Sequence, residues 1–156
     1  MADPAIAKVE DALAAQLAAW PALSAYTIVT DASDDIAVEA EADKVIRIYT
    51  VAYSADQSDE QWQTLHTATI EFEVVSVTQA VGTISRACQT AIAHIIGAIA
   101  SDRTVGRRLQ DIQEVDVASS GATGKDADSA SLQTTVQFFT PRDDWFTIVG
   151  VGGATF

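Results

Sequence analysis

The strand candidate 63–77, QTLHTATIEFEVVSV, alternates from His66 to Val74, and this stretch limits the fold more than any other. His66, Ala68, Ile70, Phe72 and Val74 fall on one side of an extended chain. Thr67, Thr69, Glu71 and Glu73 fall on the other, because successive side chains of a strand point to opposite faces. A slip of one residue would send both glutamates into the core, so the pattern fixes the register. The chain must build a sheet with one covered face and one polar face.

The neighbouring sequence supplies that sheet. Residues 44–53, KVIRIYTVAY, are rich in β-branched and aromatic types that suit a pleated surface. The break SADQSDE reads as a turn, so 44–53 and 63–77 are predicted to pair antiparallel. LQDIQEVDVA, 109–118, and SLQTTVQFFT, 131–140, read as a second hairpin across the polar loop SSGATGKDADSA. A short early strand is predicted around Tyr26–Thr30, and the acidic DASDDIAVEAEAD after it reads as a loop or weak strand.

Two amphipathic helices complete the pattern. In the first, residues 3–20, Ile6, Val9, Leu13, Leu17 and Trp20 recur at steps of three or four. Asp3 is placed to cap it, Pro4 suits the first helical position, and Pro21 stops it. The second is predicted over 79–101, with Thr78 as its cap and Val81, Ile84, Cys88, Ile92, Ile95 and Ile99 on its apolar face. SDRTVGRR ends it, with Gly106 as a turn residue. The tail after Pro141, RDDWFTIVGVGGATF, shows no period. The predicted class is α+β: an antiparallel or mixed sheet of four to five strands with two helices packed on one face. One domain is expected over 1–156, with a core at about 4–140 and a tail at 141–156.

Charge narrows the function. Twenty-two acidic residues against nine basic ones give a net charge of −13, which repels a phosphate backbone and anionic membranes. An apolar content of 48% argues against disorder of the whole chain. The lone Cys88 excludes an intrachain disulfide. MADPAIAKVEDALAAQ lacks the basic start and unbroken apolar run of a secretory signal, and no stretch suits a transmembrane helix. A cytoplasmic origin is expected.

The candidate chemistry is sparse. Glu71 and Glu73 lie two residues apart, yet catalytic carboxylates come from different segments and face each other at about 5–9 Å. A solvated strand face is the expected reading of the pair. His66 falls on the apolar side of its strand and His94 near the apolar stripe of the second helix, so both read as core or boundary histidines. Cys88 reads as a small core residue. No Cys/His cluster has zinc spacing. SSGATGKD fails as a phosphate loop: Ser119 stands where the first glycine is needed, and Asp126 follows the lysine. Arg103, Arg107 and Arg108 form the only basic cluster. It suits either compensation of the helix dipole or a contact with acidic loops of a second copy.

The order of elements resembles the tail terminator (tail completion) proteins of long-tailed bacteriophages and phage-like particles. The resemblance spans about residues 4–146. It rests on IAKVEDALAAQLAAWPAL, the paired strands KVIRIYTVAY and TLHTATIEFEVV, the helix AVGTISRACQTAIAHIIGAI, and SLQTTVQFFTPRDDWF. GVGGATF and the SSGATGKDADSA loop have no counterpart in that pattern.

The resemblance implies a homo-oligomeric ring, usually a hexamer, at the head-proximal end of the tail tube. Such a ring ends tube growth and joins the tail to the head connector. Its partners are then the tail tube protein and a head-completion or connector protein, with DNA passing through unbound and no membrane involved. It implies no catalysis and no cofactor, a place in the virion, and assembly in the host cytoplasm. In such a ring Glu71 and Glu73 are expected to face the bore. Arg103, Arg107 and Arg108, with the acidic–aromatic exit Asp143, Asp144, Trp145 and Phe146, are expected at subunit or connector interfaces. Two alternatives remain at this point. One is another head–tail joining or tube subunit of the same particle. The other is a small acidic cytoplasmic enzyme or ligand-binding domain, with polar groups converging on His66 or His94.

Overall fold

The computed structural model describes residues 3–30, 44–57, 62–77, 86–119 and 127–156. Helix α1 spans Ala5–Ala18, and a single 3-10 turn, Pro21–Leu23, leads to the short strand β1, Thr27–Val29. Strands β2, Lys44–Gln57, and β3, Gln63–Val77, follow. Helix α2 is Arg86–Ser101, and β4, Asp111–Ser119, and β5, Ala127–Pro141, complete the sheet. The strand order is β1-β2-β3-β5-β4. Only the β1–β2 pair is parallel, and β3 is the central strand, antiparallel to β2 and β5. The α+β class and the two helices agree with the sequence reading. The Thr78 cap, Val81, Ile84, the acidic stretch 31–43 and the loop residues 120–126 lie outside the described residues.

The alternation in β3 sets the layers. His66, Ala68, Ile70, Phe72 and Val74 are all buried, the last four in the core cluster that the helices cover. In the ladder they meet Phe138, Val136, Thr134, Leu132 and Ala130 of β5. From β2, Ile46 and Ile48 lie opposite Val74 and Phe72. Against this face α1 sets Val9, Leu13 and Leu17, and α2 sets Cys88, Ile92, Ile95 and Ile99. Truncating a side chain such as Phe72 in a core this closed costs about 3–5 kcal/mol.

Helix α1 differs from expectation at its ends. The N-cap is Pro4, with no side-chain cap, and Asp3 is exposed. The Ala5 N–H instead donates to the Trp145 carbonyl at 2.8 Å, so distant backbone satisfies one of the helix's orphan donors. Ile6 and Trp20, expected on the stripe, are half-buried and pack at its margin. Trp20 lies over Gly97 of α2, where an added Cβ would sit 3.3 Å from the indole. Gln16 ties the same two helices by donating to the Ala98 and Asp102 carbonyls at 2.8 and 2.9 Å.

Strand β2 runs past the predicted turn. Ser54–Gln57 stay in the ladder opposite Thr67–Thr64, beyond a register shift between Thr50 and Ala52. Ladder hydrogen bonds, not side-chain type, hold this polar end in the sheet. The tail after Pro141 has no period because it is built of turns and bridges. Val149 bridges Phe139 and Thr155, Ile148 exchanges hydrogen bonds with Phe156, and Ile148 is buried in the core. No helix of the described residues is long and apolar enough to cross a membrane.

Candidate interaction surfaces

The face of the sheet away from the helices holds Glu71 and Glu73, but the two differ. Glu71 is half-buried between Tyr49 of β2 and Gln133 of β5 in the ladder. Glu73 is buried, only 8% exposed, which corrects the expectation that both are solvated. The cause is the β2 register. Arg47 lies directly opposite Glu73 and donates to it at 2.6 Å, and the Tyr49 hydroxyl donates at 3.0 Å. Desolvation, then the Glu73 charge, raises the Tyr49 phenol well above its ordinary range. The sequence signal was present, since Arg47 and Tyr49 share a strand face. Finding it required knowing the pairing register.

The remainder of that face is mostly polar, with Leu65, Val75 and Phe139 half-buried toward its ends. Thr67, Thr69, Thr135, Gln133 and Gln137 are half-buried, while Asp56, Asp116 and Gln113 are exposed and Asp111 half-buried. Among the described residues, Arg47 is the only Lys or Arg that strand alternation puts there, and Glu73 engages it.

His66 is fully buried, and the hydrogen bonds around it allow one proton order. Thr140 Oγ1 donates to the Pro141 carbonyl at 3.0 Å, so toward His66 Nε2, 2.8 Å away, it accepts. Nε2 therefore carries the proton, and Nδ1 accepts from the Tyr53 hydroxyl. Phe138 stacks on the imidazole at 4.8 Å, and Trp145 meets it edge-on at 4.8 Å. Burial lowers the His66 pKa and raises that of Tyr53, so both stay neutral. Both ring nitrogens are occupied by protein hydroxyls, which leaves neither to receive a substrate proton. The cluster pins β2, β3, β5 and the C-terminal exit together.

The arginine cluster of the sequence is dispersed. Helix α2 ends at Ser101 with no basic residue in its last turn. The Asp102 carboxylate then accepts from the Thr104 hydroxyl at 2.6 Å and the Gly106 N–H at 2.7 Å, which hold its pKa below the usual range. Val105, Gly106 and Arg107 follow with φ of 49°, 65° and 68°, a left-handed run that separates Arg103 from Arg107 and Arg108. Arg103 makes a two-pronged pair with Glu114, both contacts at 3.1 Å, and also donates to the Ile112 carbonyl. Burial pushes Glu114 up, but the Arg103 hydrogen bond and charge outweigh it and hold its carboxyl below the usual range. Arg107 donates to the Val151 carbonyl at 2.8 Å, and Arg108 lies over the Phe156 ring at 4.3 Å.

Asp143, Asp144, Trp145 and Phe146 do come together, at the corner where β5 ends. Asp144 accepts from the Phe146 N–H at 2.9 Å, and a Thr147 hydrogen bond is the largest cause lowering its pKa. Trp145 and Phe146 are 42% and 49% exposed, and Trp62, missed as a site residue, is 80% exposed beside them. The Arg142 N–H donates to the Trp62 carbonyl at 3.0 Å, and Trp62 with residues 141–144 lines a hollow of about 520 Å³. At the other end of the sheet His94 is half-buried and lines a second hollow, of about 430 Å³, with Tyr26, Lys44 and Arg86. Cys88 is fully buried on the apolar stripe of α2, where it was expected.

The class defined by these observations is an α+β domain with helices on one sheet face and a mostly polar second face. No protein-family model matches the chain, and no curated protein matches it in sequence.

Proposed function

We propose that this chain is a structural ring-forming subunit of the tail terminator kind. Its place is the head-proximal end of a phage or phage-like tail, between the tail tube and the head connector. The observation that carries the reading is the acidic sheet face. Glu71, Asp56, Asp111 and Asp116 belong to it, and its one arginine among the described residues, Arg47, is held by Glu73. A channel lined this way gives a passing DNA no cation to pair with, so the strand is repelled evenly and slides. Glu71 is the bore-facing carboxylate of this reading, and Glu73 acts behind it as the partner of Arg47.

The reading is also supported by where the apolar surface remains. Trp62, Trp145 and Phe146 stay exposed beside Asp143 and Asp144, a composition suited to a protein contact. Ring formation is tested by negative-stain imaging and sedimentation velocity of the purified protein. A closed ring with a central hole is expected. A monomer at every concentration overturns the proposal.

A further inference from the structure

The hollow beside His94 collects positive charge on a chain that has little. Lys44 and Arg86 are exposed at its rim, and among the described residues neither has a carboxylate partner. Lys44 lies over the face of Tyr26, 5.8 Å from the ring centroid. Ala22 and Ala25 line the same hollow of about 430 Å³ and leave room for an apolar group between the cations. The chain has nine Lys and Arg in all, and two of them without a carboxylate partner among the described residues, in one groove, suit an acidic occupant.

The complementary surface is at the far end of the sheet. Lys44 pairs with Ser76 near the end of β3, whereas Gln63 at its start pairs with Pro141, next to the acidic–aromatic corner. A strand of this length spans roughly 45 Å, so the corner cannot reach the groove of its own copy. At that corner Asp143 is exposed, and Phe146 is 49% exposed. Trp145 is held against His66 and Tyr53, so within residues 143–146 Phe146 is the ring more open to a second copy, next to the exposed Trp62.

We infer that the corner of one copy, Asp143 and Phe146, docks in the groove formed by Lys44, Arg86 and His94 of the next. The inference rests on the ring reading above and gives it a contact. A cyclic assembly needs two different, mutually complementary patches on each subunit, and two patches at opposite ends of a sheet meet that need. The Asp143 carboxylate pairs with the groove cations, and the Phe146 ring fills the space above the alanines.

The test uses two full-length variants that change exposed positions: Lys44→Glu with Arg86→Glu in the groove, and Asp143→Lys with Phe146→Ser at the corner. Each alone should fold as wild type by circular dichroism. Each should weaken self-association by roughly 100-fold, through like charges set face to face. Mixed together they should associate again, because the groove variant's Asp143 meets the intact cations of the corner variant and the charges at the other contact are reversed on both sides. If wild type forms rings and both variants do too, the docking pair is wrong and the ring reading stands. If the groove variant loses thermal stability as a monomer while the corner variant assembles normally, the groove has an occupant within its own chain and the inference fails. If wild type never self-associates, both readings fall.

Discussion

Removing the Glu73 carboxylate should destabilise this fold far more than removing Glu71, two residues away on the same strand face. Glu73 accepts from Arg47 at 2.6 Å and from Tyr49 at 3.0 Å, and the Arg47 and Glu73 side chains are 17% and 11% exposed. Stripping one partner from a buried ion pair costs about 3–5 kcal/mol, because the other charge is left dry and alone. Some water still reaches this pair, which puts Glu73→Ala at the lower end, about 3 kcal/mol. For a domain of this size that is a fall in Tm of roughly 6–12 °C. Glu71→Ala should stay within about 0.5 kcal/mol. The double variant Arg47→Met with Glu73→Leu should recover most of the loss, since apolar replacements of similar volume leave no charge unpaired. Urea titrations read all four chains, through midpoints compared at unchanged slope. A cost below about 1 kcal/mol for Glu73→Ala would show the pair to be an ordinary surface one. A double variant no better than the single would show that the loss came from packing.

Three further outcomes are expected. Glu71→Lys should leave the melting temperature near wild type and make the assembled protein retard DNA in a gel shift at low salt, where screening is weak; unchanged mobility places Glu71 away from the DNA path. Burial lowers the His66 pKa, so below about 6.5 the unfolded chain binds the proton first and the folded state loses stability, down to the lowered folded-state pKa. Melts between pH 7.5 and 5.5 should show a drop that His66→Gln flattens, and parallel curves would refute it. Gly150→Ala would set a Cβ 2.2 Å from the Arg107 carbonyl oxygen and 2.7 Å from the Phe156 ring. It should cost about 1–3 kcal/mol and speed proteolysis after Pro141, whereas wild-type resistance would mean that the C-terminal clasp yields freely.

What the sequence revealed follows from the range of the interaction that decides each feature. The two faces of β3 were legible because a period of two leaves Ile70, Phe72 and Val74 one place to go. The stripe of α2 was legible for the same reason at a period near four. The Arg47–Glu73 pair was not, although both residues were visible on their strands. Their meeting depends on the β2–β3 register, and that register shifts between Thr50 and Ala52. The dispersal of Arg103, Arg107 and Arg108 was hidden too. It depends on Val105 and Arg107 adopting positive φ, a conformation their own side chains disfavour and the Asp102 hydrogen bonds help to stabilise. The C-terminal clasp is held by backbone groups of Phe139, Val149 and Phe156, which carry no side-chain signature. The same reasoning explains why the candidate surfaces were only half legible. Composition marked Asp143 to Phe146 as acidic and aromatic, and the fold added Trp62, which is 80% exposed, beside them. The cationic groove was legible from neither end, because Lys44 and Arg86 stand forty-two positions apart in the sequence and come to line one hollow only in the fold. Lys44 and Arg86 have no carboxylate partner among the described residues of an acidic chain. They share one concave place, the chemistry of that place suits an anionic partner, and the corner built around Asp143 has the charge to be it.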